Sequence, residues 1–383
     1  MLAQHPPMGW NSWNTFGENI SEALILQTAD AMVDAGLRDA GYEYLVIDDC
    51  WSKRRRENGL LVADPDKFPH GMKYVADYVH AKGLKFGMYA CAGIMTCGSY
   101  PGSFDHEYTD AQTFAEFGVD FLKYDFCNKP TTVNGPMLYR RMGMALKATG
   151  REILFSACNW GSDEAGRWVR STGAHMYRST GDIADNFQSC KDIVLSQLRN
   201  FCYSAPGCYN DLDMLTVGMY GVGHVGLGGC SELEYRTQFL LWCLFQAPLM
   251  IGCDVRRLSP ETRALLTHPE LLRLHADEEA RPPFVVTDRN HWDPGDEVAS
   301  TGKFSLCKHL AGGEYAMAFV NFTDNASTVV CNFFDLGLPV GAGFGFVLTD
   351  LLTGETVGPV EEMHSVQLEA HECRVCRAKL ARL

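Results

Sequence analysis

Lys123 and Asp125 stand two residues apart near the end of the apolar run Phe121-Leu122-Lys123-Tyr124-Asp125-Phe126-Cys127. In a strand such residues face the same way, so an ammonium and a carboxylate enter one pocket and the ammonium holds the carboxylate ionised. An ionised, positioned Asp is a nucleophile. Asp182 closes the run Arg178-Ser179-Thr180-Gly181-Asp182, after a glycine-containing bend and without an adjacent Lys. Its pKa can therefore be raised enough for it to serve first as acid and then as base. Two such carboxylates hydrolyse a glycosidic bond, with retention if they lie about 5–5.5 Å apart and with inversion beyond about 6.5 Å.

Other apolar runs end in polar groups as well: Ile47-Asp48-Asp49-Cys50-Trp51, Cys158-Asn159-Trp160 and Asn210-Asp211-Leu212-Asp213-Met214. One Asp after a strand reads as a turn former or a helix cap. Five such endings on one rim read as a pocket. Trp10, Trp13, Trp51, Tyr89 and Trp160 lie at or just past strand ends, where a flat ring can cover the apolar face of a sugar, although singly each reads as packing. Acids, one Lys, one Arg and several aromatic rings together suit a neutral polyol. The rival chemistry is an oxygen-ligated Mg²⁺ on Asp48-Asp49 and Asp211-x-Asp213, as in barrel enzymes that form enolates. Lys123 and Arg178 compensate those carboxylates directly, and no His stands at a strand end, so neither a metal nor another cofactor is expected.

The elements that must position these groups alternate along the first 270 or so residues. Strand patterns fall at 7–10, 44–48, 85–90, 121–126, 153–158, 176–179, just before Asp213, and at 249–253. Helical spacing occupies 21–35, 72–81, 110–117, 135–148, 164–170, 186–198, 232–245 and 260–266, with starts signalled at Ser21 and at Ser259-Pro260. Eight strand–helix units predict an α/β fold, a (β/α)₈ TIM barrel, with a doubly wound open sheet as the alternative. Composition changes near Ala280-Arg281-Pro282-Pro283. Beyond it, short β runs at 284–287, 304–308, 315–322, 328–333, 344–348, 366–368 and 373–376 predict an all-β antiparallel sandwich in a supporting role. The division expected is a catalytic barrel over 1–278 and a sandwich over 279–383.

A formal charge of -14 with no basic run argues against nucleic acid and anionic membranes as partners. The N-terminus shows neither the basic nor the apolar region of a secretory signal, and later apolar runs are too short to span a membrane, so a soluble, cytoplasmic protein is expected. Fifteen scattered cysteines fit mostly free thiols, and the lone Cys373-Arg-Val-Cys376 lacks the second pair a zinc site needs. The sequence leaves homo-oligomerisation open.

Taken in order, Met8-Gly9-Trp10-Asn11-Ser12-Trp13, Ile47-Asp48-Asp49-Cys50-Trp51, Pro101-Gly102-Ser103, Leu122-Lys123-Tyr124-Asp125, Cys158-Asn159-Trp160-Gly161, Arg178-Ser179-Thr180-Gly181-Asp182, Asn210-Asp211-Leu212-Asp213-Met214 and Ala247-Pro248-Leu249 resemble the motifs of glycoside hydrolase family 27, the α-galactosidases and α-N-acetylgalactosaminidases. The likeness runs from about residue 6 to 275 and is looser beyond. It implies a retaining exo-glycosidase acting on terminal α-D-galactosyl residues, with Asp125 as nucleophile and Asp182 as acid/base. It further implies that Asp48 and Asp49 hold O4 and O6 of galactose, Lys123 the O3 and O4 side and Arg178 the O2 side. Trp13, Tyr89, Cys97, Asn159 and Trp160 would line or border the pocket, and Asp213 would support Arg178 and Asp182. Family members often pair cysteines matching Cys97 and Cys127, whereas a reducing cytosol favours free thiols. Leu212 stands where the family commonly has Pro. The alternatives are an α-N-acetylgalactosaminidase or β-L-arabinopyranosidase with the same machinery, and, from another class, an inactive sugar-binding protein.

Overall fold

Eight short, apolar segments form parallel strands: β1 Met8–Asn11, β2 Tyr44–Val46, β3 Lys85–Cys91, β4 Phe121–Asp125, β5 Leu154–Cys158, β6 Met176–Arg178, β7 Tyr209–Asp211 and β8 Leu249–Ile251. This computed structural model describes residues 2–198, 203–286 and 301–383. The strands follow the order β7-β6-β5-β4-β3-β2-β1-β8, each neighbour parallel. Between the two outer strands a parallel bridge joins Leu215, just past β7, to Ile251, with Leu215 N donating to Met250 O at 2.8 Å and Gly252 N to Leu215 O at 3.0 Å. A sequential order that closes on itself is a barrel, and it excludes the doubly wound alternative, whose order reverses in mid-sheet.

Helices alternate with the strands: α1 Trp13–Phe16, α2 Glu22–Asp34, α3 Gly71–Ala81, α4 Glu107–Phe117, α5 Gly135–Ala148, α6 Phe187–Gln197, α7 Glu232–Phe245, α8 Pro260–Leu266 and α9 Pro269–His275. The two helix starts expected from side chains are present. Ser21 Oγ accepts from Leu24 N, and Ser259 Oγ accepts from Thr262 N with Pro260 opening α8. Instead of one helix at 164–170 the chain makes two 3₁₀ turns, Ser162–Arg167 and Val169–Thr172. Asp163 and Glu164 sit at φ 56° and 54°, which no α-helix accommodates.

The strands project alternate residues inward, and this period sets the depth of each side chain. Tyr44, Val46, Phe121, Leu154, Met176, Met214 and Met250 form a buried apolar layer. Two and four residues on from Phe121 along the same face come Lys123 and Asp125, and two on from Met176 comes Arg178. The apolar layer is therefore the floor on which the polar side chains of the C-terminal rim stand.

The later strands are antiparallel: β9 Phe284–Val286, β10 Lys303–Leu310, β11 Glu314–Asn321, β12 Ser327–Asn332, β13 Phe344–Asp350, β14 Thr356–Val360, β15 Met363–Leu368 and β16 Cys373–Arg382. They form a six-stranded sheet β14-β13-β16-β11-β10-β9 and a pair β12-β15, packed over a core that includes Met317, Phe319, Phe333, Phe346 and Leu368. The expected β sandwich is thus present, with β14 unforeseen because its residues are mostly exposed and do not alternate. Thr287, expected to end the first of these strands, lies outside the described residues. Two compact units, each discontinuous in sequence, comprise Met1–Asp185, Pro206–Gly229 and Pro248–Thr267, and Asn186–Ala205, Cys230–Ala247 and His268–Leu383. Among the described residues no helix is long and apolar enough to cross a membrane.

Candidate active site

A cavity of about 520 Å³, including its open mouth, lies in the first of these units, within the size range of small-molecule sites. It is lined by Trp13, Asp48, Asp49, Tyr89, Cys97, Lys123, Asp125, Arg178, Asp182 and Asp213, which brings together ten of the twelve residues singled out in the sequence. Asn159 and Trp160 are not among the lining side chains. Cys158 faces the cavity, so its neighbour on the strand faces away: Asn159 is fully buried and donates from Nδ2 to Ser162 O at 2.7 Å. Trp160 turns at φ 56° and packs against the cluster of Tyr89, Cys91 and Cys127. Trp10 and Trp51 are core side chains, donating to the carbonyls of Cys253 and Tyr89.

Asp125 is held from two sides. Phe126 N donates to Oδ1 at 2.8 Å and the Tyr89 hydroxyl to Oδ2 at 2.9 Å. Burial lifts its pKa to about 6, against the opposing pull of Lys123 and these two donors. Lys123 does not pair directly with Asp125, as its position in the strand suggested. Its Nζ lies 2.8 Å from Asp48 Oδ2, and its charge reaches Asp125 through space. Burial favours the neutral amine, yet the carboxylates, Asp48 foremost, keep Lys123 firmly protonated.

Asp48 also accepts from Asn11 Nδ2 at 2.7 Å, and Asp49 accepts from Gly98 N and Cys50 N at 2.8 and 2.7 Å. These bonds fix the two adjacent carboxylates as the chain leaves β2. Burial nevertheless raises the Asp49 pKa above the usual carboxylate range, the donors from Gly98 and Cys50 opposing it.

Arg178 organises the opposite wall. Its Nη2 donates to the carbonyls of Thr180 and Gly181 and to Asp182 Oδ1 at 3.0 Å, while Nη1 lies 2.9 Å from Asp213 Oδ1. Asp213 Oδ2 accepts from Ile183 N at 2.7 Å, tying the Asp182 segment to the loop after β7. The expectation that Asp182 is free of a cation is corrected here. Partial desolvation by the cavity wall would raise its pKa, but Arg178 and then Lys123 hold it below the ordinary aspartate value. Its side chain is 70 % exposed at the mouth, unlike Asp125.

Asn14, Cys158, Ile183, Met214 and Val225 also line the cavity and were not singled out as site residues. Cys158 was readable in principle, since it ends its strand in register with Asp125. Ile183 and Val225 come from loops, where no strand period indicates direction. Cys97 and Cys127 are joined in a disulfide rather than free as a reducing cytosol would favour. With Asp125 they form the one close group of three potential metal ligands among the described residues, but sulfurs joined to each other offer no thiolate. The Asp48 carboxylate is already compensated by Lys123 and that of Asp213 by Arg178. The cavity is built for a ligand rich in hydroxyl groups, with a buried carboxylate at its base and an exposed one at its mouth.

Residues 5–277 match the family model of alpha galactosidase A, and residues 305–378 that of the alpha galactosidase C-terminal beta sandwich domain. An α-galactosidase of Oryza sativa is 46% identical over 376 residues, covering 98% of this chain and 84% of the relative. Among solved structures, α-galactosidase I from Mortierella vinacea superposes with a TM-score of 0.89 at 32% identity over 98% of this chain and 97% of that one. The α-galactosidase from Saccharomyces cerevisiae with raffinose gives a TM-score of 0.85 at 26% identity, with 99% and 98% covered.

Proposed function

The chain belongs to the alpha galactosidase A family, glycoside hydrolase family 27, and hydrolyses terminal α-D-galactosides; from this premise we propose that it does so by double displacement, with Asp125 as nucleophile and Asp182 as acid/base. The observation that carries this reading is the contrast between the two carboxylates. Asp125 is buried and oriented by Tyr89 and Phe126 N, whereas Asp182 is exposed at the mouth and held by Arg178. In the first step an Asp125 oxygen bonds to the anomeric carbon as the glycosidic bond breaks, and the Asp182 proton passes to the departing oxygen. In the second, Asp182 takes a proton from water, the hydroxide oxygen bonds to the anomeric carbon, and Asp125 is released as carboxylate together with galactose of unchanged configuration.

The remaining groups bind and orient. Asp48 and Asp49 accept from O4 and O6, Lys123 donates on the O3 and O4 side, Arg178 acts near O2, and Trp13 and Tyr89 wall the ring. Selection of galactose over its N-acetylated form is supported by Cys158 and Arg178 meeting at 3.8 Å on the O2 side. We assign the chemistry to residues 1–278 and a supporting role to 279–383. A reducing, cytoplasmic setting is supported by eleven buried cysteine thiols among the described residues, and fractionation of cells that express the protein would place it in the cytosol if it holds.

The decisive experiment is Asp125→Ala with an aryl α-D-galactoside. Turnover is expected to fall by roughly 10⁴-fold or more while the circular dichroism spectrum stays unchanged. Activity within tenfold of the parent would remove Asp125 from the covalent step. Faster release from the N-acetylgalactosaminide than from the galactoside would overturn the sugar assignment.

A further inference from the structure

The segment Val217-Gly218-Met219-Tyr220-Gly221-Val222-Gly223-His224-Val225-Gly226-Leu227-Gly228-Gly229 leads away from the C-terminal end of β7. It places two aliphatic side chains in solvent, Val222 at 68% and Leu227 at 65% exposure. Exposed aliphatic side chains are ordinary on a protein surface, and these two invite an occupant only because the loop that carries them also lines the catalytic cavity, through Val225.

The loop is rigid by construction. Gly221 N donates to Asp185 Oδ2 at 2.7 Å, Asp185 N to Val225 O at 3.0 Å, and Gly229 N to Asp185 O at 2.9 Å. On its other flank Val225 N and His224 N donate to the carbonyls of Asn14 and Thr15 at 3.0 and 3.1 Å, while the His224 ring meets Trp13 edge-on at 4.9 Å. Gly223, at φ 117°, passes so close to Thr15 that a Cβ would lie 2.7 Å from its Cα. The loop is thus bound on one side to Asp185, three residues past Asp182, and on the other to the residues that follow Trp13. Val225, midway between the two exposed side chains, lines the catalytic cavity.

A proton donor must stand on the leaving-group side of the glycosidic oxygen, so the aglycone leaves the cavity past Asp182. Asp185, by its bonds to Gly221, Val225 and Gly229, ties the loop that carries Val222 and Leu227 to the segment that carries Asp182. We propose that Val222 and Leu227 form an aglycone platform that selects galactosides carrying an apolar, alkyl or lipid-like leaving group. A second sugar would bring hydroxyl groups to two side chains that can neither donate nor accept, whereas an alkyl chain removes apolar area from water on both partners. The inference rests on Asp182 as the acid/base.

The test compares kcat/KM of the full-length protein for octyl α-D-galactoside below its micelle concentration, methyl α-D-galactoside and raffinose. The parent is expected to favour octyl over methyl by about tenfold, mainly through KM. Val222→Ser combined with Leu227→Ser should remove that preference and leave methyl galactoside and raffinose within about twofold of the parent. A parent without octyl preference, a preference that survives in the variant, or a uniform loss on all three substrates would each overturn the platform. So would a dimer of the parent that the variant dissolves without altering the preference, since the pair would then cover a second copy. Failure of the underlying reading shows separately, as undiminished hydrolysis of methyl galactoside by Asp182→Asn.

Discussion

Asp125 and Asp182 divide one proton between two unlike settings. Burial brings Asp125 to about 6, with Lys123 opposing, while Arg178 and Lys123 overcome the partial desolvation of Asp182 and keep it below the aspartate range. Between those values the free enzyme holds a single proton on the pair, mostly on Asp125, and the productive tautomer carries it on Asp182. As pH rises through about 6 that proton is lost and no acid remains. As pH falls through the lowered value of Asp182 a second proton arrives and Asp125 can no longer attack as carboxylate. The expected kcat/KM profile is therefore a bell with its basic limb near pH 6, and a profile still rising above neutrality would contradict this assignment. Asp182→Asn should lower kcat/KM for raffinose by about 10²–10⁴-fold, and much less for an aryl galactoside whose leaving group departs without protonation. The same size of loss on both substrates would deny Asp182 the proton transfer. Of these relations the sequence showed the shared face of Lys123 and Asp125, because a two-residue period is local. It did not show that Lys123 binds Asp48 or that Arg178 binds Asp182, since those contacts depend on bonds formed only when strand ends and loops meet in space.

Strand ends hold these side chains through close backbone approach. Past β3, Ala92 N donates to the Asp125 carbonyl at 2.8 Å and Ile94 N to Asn128 O at 3.1 Å, with Gly93 between them. A Cβ on Gly93 would overlap the carbonyl oxygen of Cys127, two residues beyond the nucleophile. Gly93→Ala must push the two strand ends apart, at a cost of about 1–3 kcal/mol, and should lower Tm by roughly 2–8 °C. Because the displaced segment carries Asp125, kcat/KM should fall more steeply than stability alone explains at a temperature where the variant is fully folded. An unchanged Tm would show that the loop yields freely. The same element scale marks what periodicity could reveal. Eight strands and the starts of α2 and α8 were readable from apolar runs and caps. The 3₁₀ turns at 162–172 were not, because an apolar spacing suited to a helix does not disclose left-handed residues such as Asp163.

For the molecule as a whole, a net charge of -14 surrounds a cavity that itself presents five carboxylates against two cations. This much was readable from composition and strand ends, whereas the two interrupted compact units were not, since no composition shift marks returns to the same unit such as residues 230–247. A uniform negative field exerts no net long-range force on a neutral galactoside but repels an anionic one. Salt shortens the reach of that field to about 10 Å at 0.1 M. For phenyl α-D-galactoside, kcat/KM is accordingly expected to vary by less than about twofold between about 20 and about 500 mM NaCl. The 4-carboxyphenyl analogue, which differs only by a charge on the leaving group, should start lower and rise several-fold over the same range. Equal salt responses would mean that the charge on Lys123 and Arg178 cancels the acidic exterior at the mouth; a decline with salt for the anionic substrate alone would show that these two cations attract the leaving group from solution.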